Sequence, residues 1–302
     1  EEVIWALLLG ILFDALTGEP KFIWSRIPHP VVLMGKLIQL ADNRINKGAS
    51  RKAKGVLFLC FVILFSGVTG ILLSQIGTAV SAVLLAILLA HRSLVDHVNQ
   101  VTRSLEISLG RGREAVSKIV GRDTKNMQES EVASAAIETA AENFSDGVIG
   151  PIFWFLIAGL PGLLIYKFVN TADSMIGHKT SQHREFGWAS ARFDDLLNWA
   201  PARISCVLIS ITGRSLRHLL RIKQDAKLHR SPNAGWPEAA MAYSLNVAIA
   251  GPRTYGAEKQ EFAWVNPNGK SATRHDIQRS TQLLWCSWVL TVIGVFVIAL
   301  LR

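Results

Sequence analysis

Carboxylates and amides crowd one stretch of this 302-residue chain. Between residues 138 and 199 it carries Glu138, Glu142, Asn143, Asp146, Asn170, Asp173, Asp194, Asp195 and Asn198, in two polar runs that flank an apolar segment, 152–168. Oxygen donors in such density suit a hard cation such as Mg²⁺. Asp194 and Asn198 form an i,i+4 pair, able to address one cation or one amide ligand together. Asn170, Asp173 and Ser174 share a helical face, and His178-Lys179-Thr180 follows. The alternative is a set of helix caps and buried hydrogen bonds. Polar groups beside membrane-grade hydrophobicity are costly without partners, however, and a binding site is the expected reason for them.

Other chemistry-bearing residues lie outside this stretch. His29 sits between Pro28 and Pro30, which hold it in an extended conformation. Gly121-Arg122-Asp123-Thr124 offers backbone amides and an Arg to a phosphate, or simply closes a loop onto a helix N-cap. An alanine-rich helix is expected over 131–143, with Glu131, Glu138 and Glu142 on one face and Ala133, Ala136 and Ala140 opposite. Pro237 reads as a first helical residue, with Glu238 at the positive end.

The elements that position these groups belong to a membrane protein. Half of the residues are apolar and 18% are charged, against about a quarter charged in an ordinary soluble domain. Residues 56–76 and 283–301 run without a charge for the length of a spanning helix. Residues 3–16 and 78–90 are shorter apolar runs, and 3–16 reads as a retained helix rather than a cleaved signal. The net charge of +9 sits in loops beside these runs, at Lys36 to Lys54 and Arg214 to Arg230. That is the positive-inside pattern rather than a nucleic-acid surface, and it places the basic loops in the cytoplasm. Cys60, Cys206 and Cys286 lie far apart inside apolar runs and have no metal-site spacing.

The apolar segment 148–168 is interrupted by Gly159-Leu160-Pro161-Gly162. A straight span would carry Asp146 and Asp173 to opposite faces of the bilayer. A re-entrant hairpin over 148–169 would return both polar runs to one face, and this is the expected arrangement. The fold expected is all-α: one polytopic membrane domain over 1–302 with about four to six membrane segments. Its polar excursions are 17–55, 91–147, 170–200 and 214–282, with cytoplasmic helices at 94–131 around a turn at Gly110-Arg111-Gly112-Arg113.

Several long blocks in order resemble the adenosylcobinamide-phosphate synthase family of cobalamin biosynthesis. They are HPVVLMG at 29–35, VGRDT at 120–124, AENFSDGVIGPIFW at 141–154, YKFVNTADSMIG at 166–177, FGWASARFDDLLNWAPAR at 186–203, SPNAGWPEAAMA at 231–242 and GPRTYG at 251–256. The match reaches from residue 14 to about 256. The chain departs from the pattern at His178-Lys179, where Tyr-Arg is expected, at Ala257, where Gly is expected, and at Glu19, where Asp is common. A Lys in place of Arg keeps a cation but loses the planar fork, which bears on amine specificity.

The resemblance implies an ATP-dependent ligase in the cell inner membrane, its site facing the cytoplasm. It would join adenosylcobyric acid to aminopropanol phosphate through an acyl phosphate, with Mg²⁺ required. On that reading Asp146, Asp173, Asp194 and Asp195 would hold Mg²⁺–ATP, and Lys179, Arg184 and Arg192 would contact phosphates. Asn143, Asn170, Asn198 and Asn233 would position the amides of the corrinoid. Glu142 or Glu238 would be the base, with His29 in reserve. The partners implied are the corrinoid, the amino-alcohol phosphate, the bilayer and other cobalamin-assembly proteins, without nucleic acid. No Walker sequence is present, so ATP needs some other cradle. Two other classes compete: a transporter, which predicts inverted repeats not found in the sequence, and a non-catalytic scaffold of a corrinoid-modifying complex.

Overall fold

The computed structural model describes residues 2–178, 180–255 and 258–301. Lys179 lies outside the described residues. In chain order the helices begin with α1 (Glu2–Thr17), α2 (Lys21–Trp24), α3 (Pro30–Ile45), α4 (Arg51–Ser74), α5 (Thr78–Leu88), α6 (His91–Ile107), α7 (Leu109–Ser117) and α8 (Glu129–Phe144). A π-helical turn, Ser145–Ile149, leads into α9 (Gly150–Ile176), followed by α10 (Trp188–Leu197), α11 (Trp199–Thr212), α12 (Leu219–Ala226) and α13 (Gly235–Leu245). Short strands β1 (Val247–Ala250), β2 (Arg253–Tyr255), β3 (Glu258–Gln260), β4 (Trp264–Val265) and β5 (Lys270–Ser271) precede the final helix α14 (Arg274–Leu300).

Among the described residues four helical stretches are long and apolar enough to cross a membrane: Arg51–Ser74, Thr78–Ile107, Glu129–Ile176 and Arg274–Leu300. The outward side chains of α4 are themselves apolar, with Leu57, Leu64 and Leu72 exposed, as a lipid-facing helix requires. The protein is thus an all-α polytopic membrane protein. Its contacts divide it into two compact units, each assembled from separate stretches of chain. One comprises residues 1–90, 146–198 and 295–302, the other 91–145 and 199–294.

The first unit is organised around α9, which α3, α4 and α10 pack against. The length of α9 is misleading. Ala158 (φ −131°, ψ 15°) and Gly159 (φ 61°, ψ −150°) leave the helical region, and Gly159 takes a conformation that essentially only glycine tolerates. Pro161 follows where a second helix begins, a position suited to its fixed φ and missing N–H. Twenty residues of straight helix would separate Asp146 from Tyr166 by about 30 Å. Instead the Tyr166 hydroxyl lies 3.0 Å from the Asp146 carbonyl oxygen. Gly162 fits so closely against the Trp154 carbonyl that a Cβ has no room there. The segment therefore folds back on itself, as the Gly-Leu-Pro-Gly interruption leads one to expect, and Asp146 returns to the side of Tyr166 and Asn198.

The second unit is built on α8, whose Ala133, Ala136 and Ala140 are fully buried and which packs against α6, α7, α13 and β1. Its N-terminus carries a capping box between Gln128 and Glu131. The turn expected at 110–113 is instead the interior of α7. Ser108 caps that helix through the Arg111 amide, and Gly112 is pressed against Leu105 where a Cβ would collide. The small sheet has order β4-β1-β5, with β1 antiparallel to β4 and parallel to β5.

Candidate functional site

The folded-back α9 positions a connected polar network at its base. Asp194, on α10, is 7% exposed. One carboxylate oxygen accepts from Asn170 Nδ2 at 3.2 Å, the other from Asn198 Nδ2 at 2.9 Å. Asn198 Oδ1 accepts in turn from the Tyr166 hydroxyl at 2.8 Å, and that hydroxyl also faces the Asp146 carbonyl. The Asn198 amide has a fixed sense, since reversing it would set its oxygen against the Asp194 carboxylate. Trp154 locks the hairpin to the end of α10 by donating from Nε1 to the Leu197 carbonyl at 3.0 Å.

The electrostatics of this network are those of an under-compensated acid. Burial pushes the Asp194 carboxyl up to about 7, and the neighbouring charges of Asp173 and Asp195 act in the same direction. The two amide donors only partly offset them. Asp195 is half-buried and ion-pairs with the exposed Arg192 at 3.6 Å. Among the described residues no three His, Cys, Asp or Glu groups converge on a preformed metal cage. Mg²⁺ characteristically takes one or two carboxylates and completes its shell with waters and phosphates. The groups such a cation would meet here are Asp194 and, in its electrostatic field, Asp173 and Asp195.

Two members of this neighbourhood were missed in the sequence. Tyr166 is fully buried and ties together Asp146 and Asn198, which lie far apart in the chain. Lys167 interacts electrostatically with Asp146 and with Glu19, the residue of the Gly-Glu-Pro departure. A lysine inside an otherwise apolar segment was the available signal.

The remaining expected residues each have their own surroundings within their unit. In the first unit, Arg184 is exposed. His29 caps α3: its Nδ1 accepts from the Val31 amide at 3.2 Å, its Nε2 lies 3.0 Å from the Ile87 carbonyl, and its ring meets Trp24 edge-on. In the second unit, Glu142 and Asn143 are exposed at the end of α8, with Asn143 bonded to the Thr139 carbonyl. Glu238 is 2% exposed and sits 3.7 Å from His229 Nε2. Asn233 is buried and accepts from Arg203, whose guanidinium lies over the rings of both Trp199 and Trp236. Glu138, from the same run of acids, has a full set of partners: Arg122 at 3.5 Å, Ser134 at 2.8 Å and the Ala250 amide at 3.1 Å.

These features define a class: a polytopic helical membrane protein with an acidic, amide-rich network mounted on a re-entrant hairpin. Residues 7–284 match the CobD/Cbib protein family, and the chain belongs to that family. It is 44% identical to a cobalamin biosynthesis protein CobD of Sinorhizobium sp, with 99% of this chain and 98% of the relative aligned. Proteins of the same name from Halalkalibacterium halodurans and Rhodobacter capsulatus are 42% and 40% identical, each alignment taking in 92% of this chain and 91% of the relative. No solved structure gives a significant match.

Proposed function

We propose that this protein acts in cobalamin biosynthesis as an ATP-dependent amide ligase, joining adenosylcobyric acid to aminopropanol phosphate to give adenosylcobinamide phosphate. Family membership and the names of the relatives support the pathway. The reaction class is supported chiefly by one observation: Asp194, buried and clamped by Asn170 and Asn198, in the electrostatic field of Asp173 and Asp195.

A free carboxylate is a poor electrophile. In the proposed route its oxygen attacks the γ-phosphorus of ATP and ADP leaves, giving an acyl phosphate. The amine then attacks the carbonyl carbon, phosphate departs, and the amine's proton passes to a base. Asp173, Asp194 and Asp195, with Asp146, are the residues that would hold Mg²⁺, which supplies charge neutralisation at the phosphates. Lys179, Arg184 and Arg192 are the proposed phosphate contacts. Asn170 and Asn198 orient the Asp194 carboxylate, while Asn143 and Asn233 are the proposed contacts to corrinoid amides. Glu142, exposed on α8, is the first choice of base and Glu238 the second. His29, with both ring nitrogens engaged, is better suited to fixing the start of α3 than to moving protons. The basic loops support an inner-membrane protein whose site opens to the cytoplasm.

The test is product formation by purified, detergent-solubilised protein given adenosylcobyric acid, aminopropanol phosphate, Mg²⁺ and ATP. Amide product with matched ADP release, and none when ATP or Mg²⁺ is omitted, is the expected result. Folded protein that binds corrinoid and yields no product would rule out the ligase.

A further inference from the structure

The second unit contains a cavity of about 550 Å³ that the network around Asp194 does not use. It opens between the loop before α8, the first turns of α8 and the β1–β4 region, and its lining includes Arg122, Asp123, Asn126, Ser130, Glu131 and Trp264. Arg122 is the anchor. Its side chain is 9% exposed, and among the described residues its hydrogen-bond partner is Glu138, through Nη2 alone. Glu138 is fixed by Ser134 and the Ala250 amide, so the guanidinium is held in place in the cavity wall. A guanidinium carries five N–H donors, and one fixed in a cavity wall beside a helix N-terminus suits a phosphate.

The same lining also attracts a cation. Asp123 and Glu131 each give one oxygen to a backbone amide, of Lys125 at 2.9 Å and Gln128 at 2.6 Å, and both remain exposed. Trp264 is 49% exposed, so part of its surface is available to an ammonium group. Two carboxylates against one guanidinium disfavour a polyanion such as a nucleotide, whereas a ligand bearing both charges is matched at each end.

We propose that this cavity binds the phosphorylated amine, its phosphate on Arg122 and its ammonium group among Asp123, Glu131 and Trp264. The assignment rests on the ligase reading for the identity of the ligand.

The experiment is calorimetric titration of the purified full-length protein in detergent with aminopropanol phosphate, and with inorganic phosphate as the probe of the anionic end. Arg122→Lys should weaken both ligands about tenfold or more, because a point charge replaces the fork. Asp123→Asn, at an exposed position that leaves folding intact, should weaken the amine phosphate and leave inorganic phosphate unchanged. Trp264→Leu should behave like Asp123→Asn. Wild-type affinities in all three variants would overturn the site, as would weakened Mg²⁺–ATP binding in Arg122→Lys with amine-phosphate binding intact. Amide product with an unchanged KM for the amine in every variant would overturn the site and leave the ligase standing. The expected binding pattern without any amide product would overturn the ligase and leave a receptor for amino phosphates.

Discussion

Glu138 and Asp194 are both carboxylates buried in helical packing, and they are compensated in opposite ways. Glu138 meets a guanidinium, a hydroxyl and a backbone amide. Asp194 has neutral amides as its hydrogen-bond partners among the described residues, and its charged neighbours Asp173 and Asp195 are acids. A compensated acid holds a fold together, and removing its cation strands a charge. An acid held by neutral amides against like charges is oriented while its charged form is disfavoured.

The largest expected effect strikes the compensated acid. Arg122→Met should lower stability by about 3–5 kcal/mol by leaving Glu138 buried without its cation. Adding Glu138→Gln should recover much of the loss, and thermal unfolding in detergent reads both. A full loss unchanged in the double variant would show that the pair does not act as described.

The second effect is a pH dependence at Asp194. Its carboxyl titrates at about 7 when folded, against 3.8 as its ordinary value. Between those values the folded chain holds a proton that the unfolded chain has released. The stabilisation from this group is therefore fully present below about pH 4 and is lost as pH rises through about 7, a change on the order of 4 kcal/mol. Without divalent cations, Asp194→Asn should flatten that slope. A variant with the wild-type pH profile of stability would locate the dependence elsewhere.

Smaller effects sharpen the contrast. Tyr166→Phe removes the phenolic donor to Asn198 and to the Asp146 carbonyl, and should cost about 1–3 kcal/mol, read as a lower unfolding temperature. Glu142→Gln, at an exposed position, should alter stability by no more than about 0.5 kcal/mol. If Glu142 is the base, the same variant loses the amide-forming step while ATP-dependent acyl-phosphate formation, trapped with hydroxylamine, persists. An unaltered amide rate would move the base to Glu238.

Membrane class and hairpin were legible because each follows from local chemistry. Apolar runs set the spans, and Gly159 and Pro161 mark where a helix cannot continue. The i,i+4 relation of Asp194 and Asn198 was equally local. The bond within that pair, from the amide to the carboxylate, was not read from the spacing. The bond between Tyr166 and Asn198 joins residues of two helices and leaves no periodic trace in the sequence. His29 looked free for chemistry because nothing near it in sequence reveals that the Ile87 carbonyl takes its second nitrogen. Gly112 suggested a turn, yet serves close packing against Leu105 inside α7. The two units were hidden because each is assembled from segments that alternate along the chain.

The most direct test of the central claim is the rate of amide formation by Asp194→Asn beside the wild type, with unfolding temperature measured on the same samples. The substitution keeps shape and removes charge. The account predicts a fall of about 100-fold or more, since charge stabilisation at a transferring phosphoryl is lost, with stability at neutral pH equal to or above that of the wild type. A variant that forms product at the wild-type rate would contradict it, and would reduce the network around Asp194 to a structural clamp.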